Sequence, residues 1–99
     1  MTSESIYSEL VAYMVTNFSS DYRSSWYVGI TSDIDTRLFG AHRVNRLSKG
    51  WVWRQATDIN HARRAEASLI NRGHDGGGSG GDHTTTYVYA FRKEPGTVR

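Results

Sequence analysis

Two tyrosines, an arginine and a glutamate are the residues of this 99-residue chain whose types could act on an anionic oxygen ester. In Trp26-Tyr-Val-Gly-Ile-Thr31, Trp26, Val28 and Ile30 alternate with Tyr27, Gly29 and Thr31, which predicts a strand with one apolar face. The other face carries a phenol, a bare backbone and a hydroxyl. Thr31, Ser32 and Asp33 then offer N-cap oxygens, and Ile34, Leu38 and Ala41 continue at helical spacing. A strand, a tight turn and a helix bring Tyr27 close to the start of a helix bearing Arg37. A phenol beside a guanidinium suits an anionic oxygen ligand.

The second signal is Glu66. On a wheel of about 100° per residue with Ile59 at zero, Glu66 falls at about −20°, between Ala62 at about −60° and Ile70 at about 20°. A carboxylate inside an apolar stripe costs free energy unless it is paired or holds a cation. A hard divalent ion, Mg²⁺ or Mn²⁺, and a salt bridge to Arg63 or Arg37 are both open. The four histidines have no zinc-type spacing; His61 and His74 read as surface residues, and His42 sits at the end of the Arg37 helix.

Tyr27-Val28-Gly29, Thr31, Asp33 and Arg37, together with Glu66 in an Ala-x-x-x-Glu-x-x-x-Ile setting, resemble the second half of the GIY-YIG endonuclease signature. The resemblance implies a phosphodiester hydrolase using one divalent metal ion, with DNA as the expected partner. Glu66 would be the metal ligand and Arg37 the phosphate clamp. Tyr27 would orient or deprotonate the attacking water, its pKa depressed by arginine and metal. A second tyrosine would come from Tyr87 or Tyr89, and His42 would reach the site from the helix end. The chain departs from the pattern in three places. His42 lies five residues after Arg37 where the family more often has its residue four after. The first family strand is replaced by a helical segment. The family's asparagine has no counterpart, so that either Asn71 or Asp82 substitutes or catalysis is impaired.

The elements that position these residues follow from periodicity. Ile6, Leu10, Met14 and Phe18 recur every four residues, predicting an amphipathic helix over 3–18 ended by the polar turn Ser19-Ser20-Asp21. Gly40 weakens the second helix near His42. Trp51 to Ala56 predicts a second strand, and a helix capped by Thr57 or Asp58 runs to Gly73. The glycine-rich 75–82 segment reads as a pliable crossover rather than an anion nest. Thr85 to Arg92 predicts a last strand with Tyr87, Tyr89 and Phe91 on one face. This C-terminal strand is expected to take the place of the missing family strand, antiparallel to 26–31. The expected fold is one α/β (α+β) domain over 1–99, a three-stranded, mainly antiparallel sheet flanked by three helices, with its motif-bearing core at 26–92 and a frayed tail at 95–99.

Composition bounds the function. Hydrophobic residues make up 37% of the chain and there are three tryptophans, enough for one core. The absence of cysteine excludes disulfides, thiolate metal sites and thiol nucleophiles. No apolar run is long enough for a membrane span, and the first residues, with Glu4 and Glu9 and no basic start, lack signal-peptide form, so a cytoplasmic setting without membrane partners is expected. Net charge is only +2, yet residues 37–72 hold eight basic against two acidic side chains. Such a block favours polyanions. The competing expectation is a non-catalytic nucleic-acid- or partner-binding module on the same scaffold.

Overall fold

The computed structural model describes residues 1–17, 25–77 and 81–99. Its elements in chain order are helix α1 (Ser3–Asn17), strand β1 (Trp26–Thr31), a π-helix (Asp35–Ala41), strand β2 (Trp51–Gln55), helix α2 (Ile59–Arg72), strand β3 (Asp75–Gly76) and strand β4 (Tyr87–Arg92). The class is α+β, with three helices around one mixed sheet of strand order β2-β4-β1-β3. The C-terminal strand pairs as expected: β4 lies antiparallel to β1 over six residue pairs, from Trp26 opposite Arg92 to Thr31 opposite Tyr87. It also pairs antiparallel with β2 on its other side.

Two features correct the sequence reading. The sheet has four strands, because Asp75–Gly76 adds a short parallel edge to Tyr27 and Val28. The segment read as wholly irregular thus begins with regular pairing; residues 78–80 lie outside those described. The helix after β1 is a π-helix, closed by the His42 N–H donating to the Arg37 carbonyl at 2.9 Å. Asp33 anchors its start, with its carboxylate accepting from the Thr36 amide at 3.2 Å and the Thr36 hydroxyl at 2.8 Å. The extra residue of the wide turn ends it at Ala41, so that His42 turns inward and is buried.

The sheet's faces carry different cores. Trp26, Val28, Ile30, Val52, Val88 and Ala90 pack beneath α1 and α2, against Ile6, Leu10, Met14, Ala62, Ala65 and Leu69. The four-residue spacing of α1 is the spacing of its buried stripe; Phe18 and the turn at 19–21 lie outside the described residues. On the other face Tyr89 and Phe91 pack with Leu38 and Val44, and Tyr27, Phe39 and Trp51 flank them. The Asp58 side chain caps α2 by accepting from the His61 amide at 2.9 Å. At the far end the amides of Gly73 and His74 return to the carbonyls of Ile70 and Leu69.

The tail, expected to fray, returns to the domain. The Val98 amide donates to the His42 carbonyl at 2.8 Å, and Arg99 pairs with Asp75. Two histidines also sit differently from expectation. His74 is buried beside Arg72, at 2.7 Å, and His61 accepts from the Ser3 amide at 3.0 Å, joining α2 to the start of α1.

Candidate active site

The β1–β4 register brings the two phenols together. Gly29 stands opposite Tyr89 and Tyr27 opposite Phe91, so Tyr27 and Tyr89 are diagonal neighbours on one face. Gly29 makes room for this: a Cβ there would run into the Tyr89 hydroxyl and lie 2.6 Å from its Cζ. Gly77 does the same for Tyr27, since a Cβ at that position would meet the Tyr27 hydroxyl. A side chain at either glycine would displace a phenol.

His42 joins the pair from the end of the π-helix. Its ring lies 5.0 Å from Tyr27, 4.7 Å from Phe91 and 5.5 Å from Tyr89, centre to centre. Its nitrogens have distinct partners. Nδ1 is 2.7 Å from the Val98 carbonyl, which can only accept, so Nδ1 carries the proton. Nε2, 2.7 Å from the Tyr89 hydroxyl, then accepts from the phenol. Burial, together with the Arg37 charge, holds the His42 pKa below its ordinary value despite the Val98 hydrogen bond, so the imidazole is neutral at pH 7. Arg37, exposed on the π-helix, lies near enough for its positive charge to favour the Tyr89 phenolate. The phenol's proton points at His42.

Neither phenol is ionised at rest. Burial holds Tyr89 well above the ordinary phenol value, and the neighbouring Tyr27 and Glu66 add to this against the pull of Arg37. Tyr27 is also raised, first by burial and then by the negative charges of Asp75 and Glu66, which outweigh Arg37 and Arg99. Arg37 does pull Tyr27 down as expected, but without a metal ion the net shift is upward. Asp75 is the residue the sequence reading missed. It stands opposite Tyr27 in the β1–β3 register and bonds Lys93 at 3.1 Å as well as Arg99. Burial works against its ionised form, but these two cations hold its pKa below the usual carboxylate value. No sequence signal marks it, because its neighbourhood is created by the two-residue strand β3.

Glu66 lies on the buried stripe of α2 with Ala62, Ala65 and Leu69, while Ile70 is at the surface. Only 4% of Glu66 is exposed, and its Oε2 has no hydrogen-bond partner. Desolvation raises its pKa to about 7, with the Arg63 charge opposing. Its charge acts on both phenols, which ties α2 electrostatically to the tyrosine face. An unpartnered carboxylate oxygen is the hard donor that Mg²⁺ or Mn²⁺ prefers, and Glu66 is the residue that would hold such an ion. Among the described residues no group of three His, Asp or Glu side chains is placed to share an ion.

The structure therefore brings Tyr27, Arg37, His42 and Tyr89 into one cluster, with Glu66 coupled to its phenols. It does not bring Tyr87 there. Tyr87 lies on the same face but packs edge-on against Trp53, with centroids 5.5 Å apart. Nor do the two substitutes for the family asparagine arrive. Asn71 lines a cleft with Ser3 and Tyr7 of α1, and Asp82 closes its own turn by accepting from the Thr84 amide and hydroxyl. No protein-family model, curated protein or solved structure matches the chain.

Proposed function

We propose that the chain is a divalent-metal-dependent endonuclease of GIY-YIG type, hydrolysing nucleic-acid phosphodiesters, with DNA as the favoured substrate and the cytoplasm as its setting. The observation that carries this reading is the hydrogen-bonded pair Tyr89 and His42 beside Tyr27, with the charges of Arg37 and of the unpartnered carboxylate of Glu66 acting on both phenols.

The division of labour follows from exposure and protonation. Arg37 is exposed, and its guanidinium would grip the phosphate in the fork geometry that lysine lacks. Tyr27 is the more accessible phenol and would orient the attacking water. Tyr89, 1% exposed, cannot meet bulk water; its hydrogen bond to neutral His42 would hold both rings beside Tyr27, and the attacking water would release its proton to solvent. The Val98 carbonyl would fix the His42 ring, and Asp75 would lie close enough to Tyr27 to oppose early loss of that phenol's proton. Glu66 would hold the Mg²⁺ or Mn²⁺, whose charge would offset that of a non-bridging phosphate oxygen and of the leaving oxygen. No helix among the described residues is long and apolar enough to cross a membrane.

One observation favours a second reading, a nucleic-acid- or partner-binding module without catalysis: Asn71 and Asp82 are both engaged away from the cluster. Incubation with supercoiled plasmid separates the two. The enzyme nicks with Mg²⁺ or Mn²⁺ and stops in EDTA, and Glu66→Ala abolishes nicking without loss of fold. Arg37→Ala abolishes it too and weakens DNA binding. A wild-type protein inert on DNA and RNA with both metals, whose salt-sensitive binding is indifferent to Glu66→Ala, is the binding module.

A further inference from the structure

Beyond the phenol cluster, the same face of the sheet carries a cleft of about 390 Å³ that the proposed hydrolysis does not use. Its walls are two edge-to-face aromatic pairs. Phe39 meets Trp51 at 4.9 Å and 87°, and Trp53 meets Tyr87 at 5.5 Å and 75°. In such pairs one ring keeps a face that its partner's edge does not cover. Trp53 is 39% exposed, an unusual position for the largest apolar side chain in a domain able to bury Trp26 completely. At the rim the Arg46 guanidinium lies 3.9 Å over the Phe39 ring and bonds Asp35 at 3.2 Å. Asp33 also lines the cleft; its carboxylate accepts twice from Thr36, leaving lone pairs for a further donor.

We propose that this cleft holds an unpaired nucleobase next to the scissile phosphate, so that the substrate class is single-stranded or locally unpaired nucleic acid. The inference rests on the hydrolytic reading for its partner. A base is flat, stacks on aromatic faces irrespective of sequence, and carries amino and imide N–H groups that a carboxylate accepts. Two carboxylates in the cleft repel a phosphate, which directs the base inward and the backbone outward toward Arg46. Tyr87 is two residues before Tyr89 on β4, a separation of about 7 Å along a strand, so the cleft adjoins the cluster that would hold the phosphate. A base inside a duplex is stacked on both faces and cannot enter.

The test is fluorescence anisotropy, in EDTA to prevent cleavage, with one labelled DNA strand offered alone and as its duplex. The wild type binds the single strand roughly tenfold more tightly, Trp53→Ala loses that margin while duplex binding is unchanged, and Trp53→Phe keeps most of it. Stacking also quenches tryptophan emission on titration with the single strand, and Trp53→Phe binds with much less quenching. A wild type that favours the duplex, or single-strand affinity and quenching indifferent to Trp53, overturns the proposal. Failure of nicking with the Trp53-dependent margin intact removes the hydrolytic reading and leaves the base site. Glu66-dependent nicking without the margin does the reverse.

Discussion

Replacing Glu66 by glutamine should make the metal-free protein more stable, and by an amount that depends on pH in a defined way. The carboxyl is 4% exposed with one oxygen unpartnered, and its pKa is raised from 4.5 to about 7. At about 1.4 kcal/mol per pH unit, the ionised form costs the folded state roughly 3 kcal/mol. The sign follows from proton binding. Between pH 4.5 and about 7 the folded protein holds this proton and the unfolded chain has lost it, so stability falls as pH rises through that window and levels off above it. His42 works the other way, because its lowered pKa makes the folded state prefer the neutral ring and stability is lost as pH falls. The difference between wild type and Glu66→Gln cancels His42, Tyr27, Tyr89 and everything else the two proteins share, provided that Arg63, the one cation that opposes the shift, stays in place. Urea unfolding in EDTA, followed by tryptophan emission, should give equal midpoints at pH 4. At pH 8 the variant's midpoint should be higher by about 1–3 M, for a slope typical of a small domain. Mg²⁺ should raise the wild-type midpoint at pH 8 and leave the variant's alone, because an ion that binds only the folded state stabilises it. A difference that is constant from pH 4 to pH 8 would falsify the claim that Glu66 is a desolvated acid.

Four further outcomes test the phenol cluster. Gly29→Ala should destabilise by about 1–3 kcal/mol, since its Cβ must displace the buried Tyr89 ring, and in a Tyr89→Ala background the same change should cost much less; urea titrations of the four proteins measure the coupling. Tyr89→Phe should reduce plasmid nicking if the phenol's hydrogen bond to His42 positions the cluster beside Tyr27, with nicking counted on gels. His42→Leu should cost about 1–3 kcal/mol by leaving the Tyr89 hydroxyl buried without an acceptor, and adding Tyr89→Phe should recover part of that. Removing Val98 and Arg99 should release the His42 tautomer, so that the Nδ1-protonated imidazole, visible as the sole tautomer by nitrogen NMR in the full chain, becomes a mixture.

The sequence was most legible where one period dominates. The four-residue stripe of α1 buries one face of a helix, and the alternation in 26–31 and 87–92 sorts side chains between the two cores on either face of the sheet, so the pattern and the structure are two statements of one constraint. A two-residue strand has no period to read, which is why β3 escaped notice, and with it the place of Asp75 beside Tyr27. The π-helix escaped for a related reason. Ile34, Leu38 and Ala41 fit an α-helical stripe, and the one additional residue in the turn changes which side chain comes next rather than the stripe itself. That residue is His42, whose offset of five from Arg37 is the distance closed by the His42–Arg37 backbone hydrogen bond. Burial of His74 is set by what folds over it and leaves no local mark.

The choice between Tyr87 and Tyr89 shows where sequence reasoning had the information without using it. Both phenols face the same side of β4, so alternation alone cannot separate them. The strand opposite does: β1 is bare only at Gly29, and a large ring can lie flat across an antiparallel partner only where that partner has no side chain. Tyr89 faces that gap, while Tyr87 faces Thr31 and turns instead to Trp53. The glycine of the Tyr-Val-Gly run thus has a steric duty that links motif to mechanism. It admits the second phenol within reach of His42, where the charge of Glu66, on a helix belonging to the other core, acts on both tyrosines. Any residue with a Cβ at position 29 separates those groups, whatever the chemistry they perform.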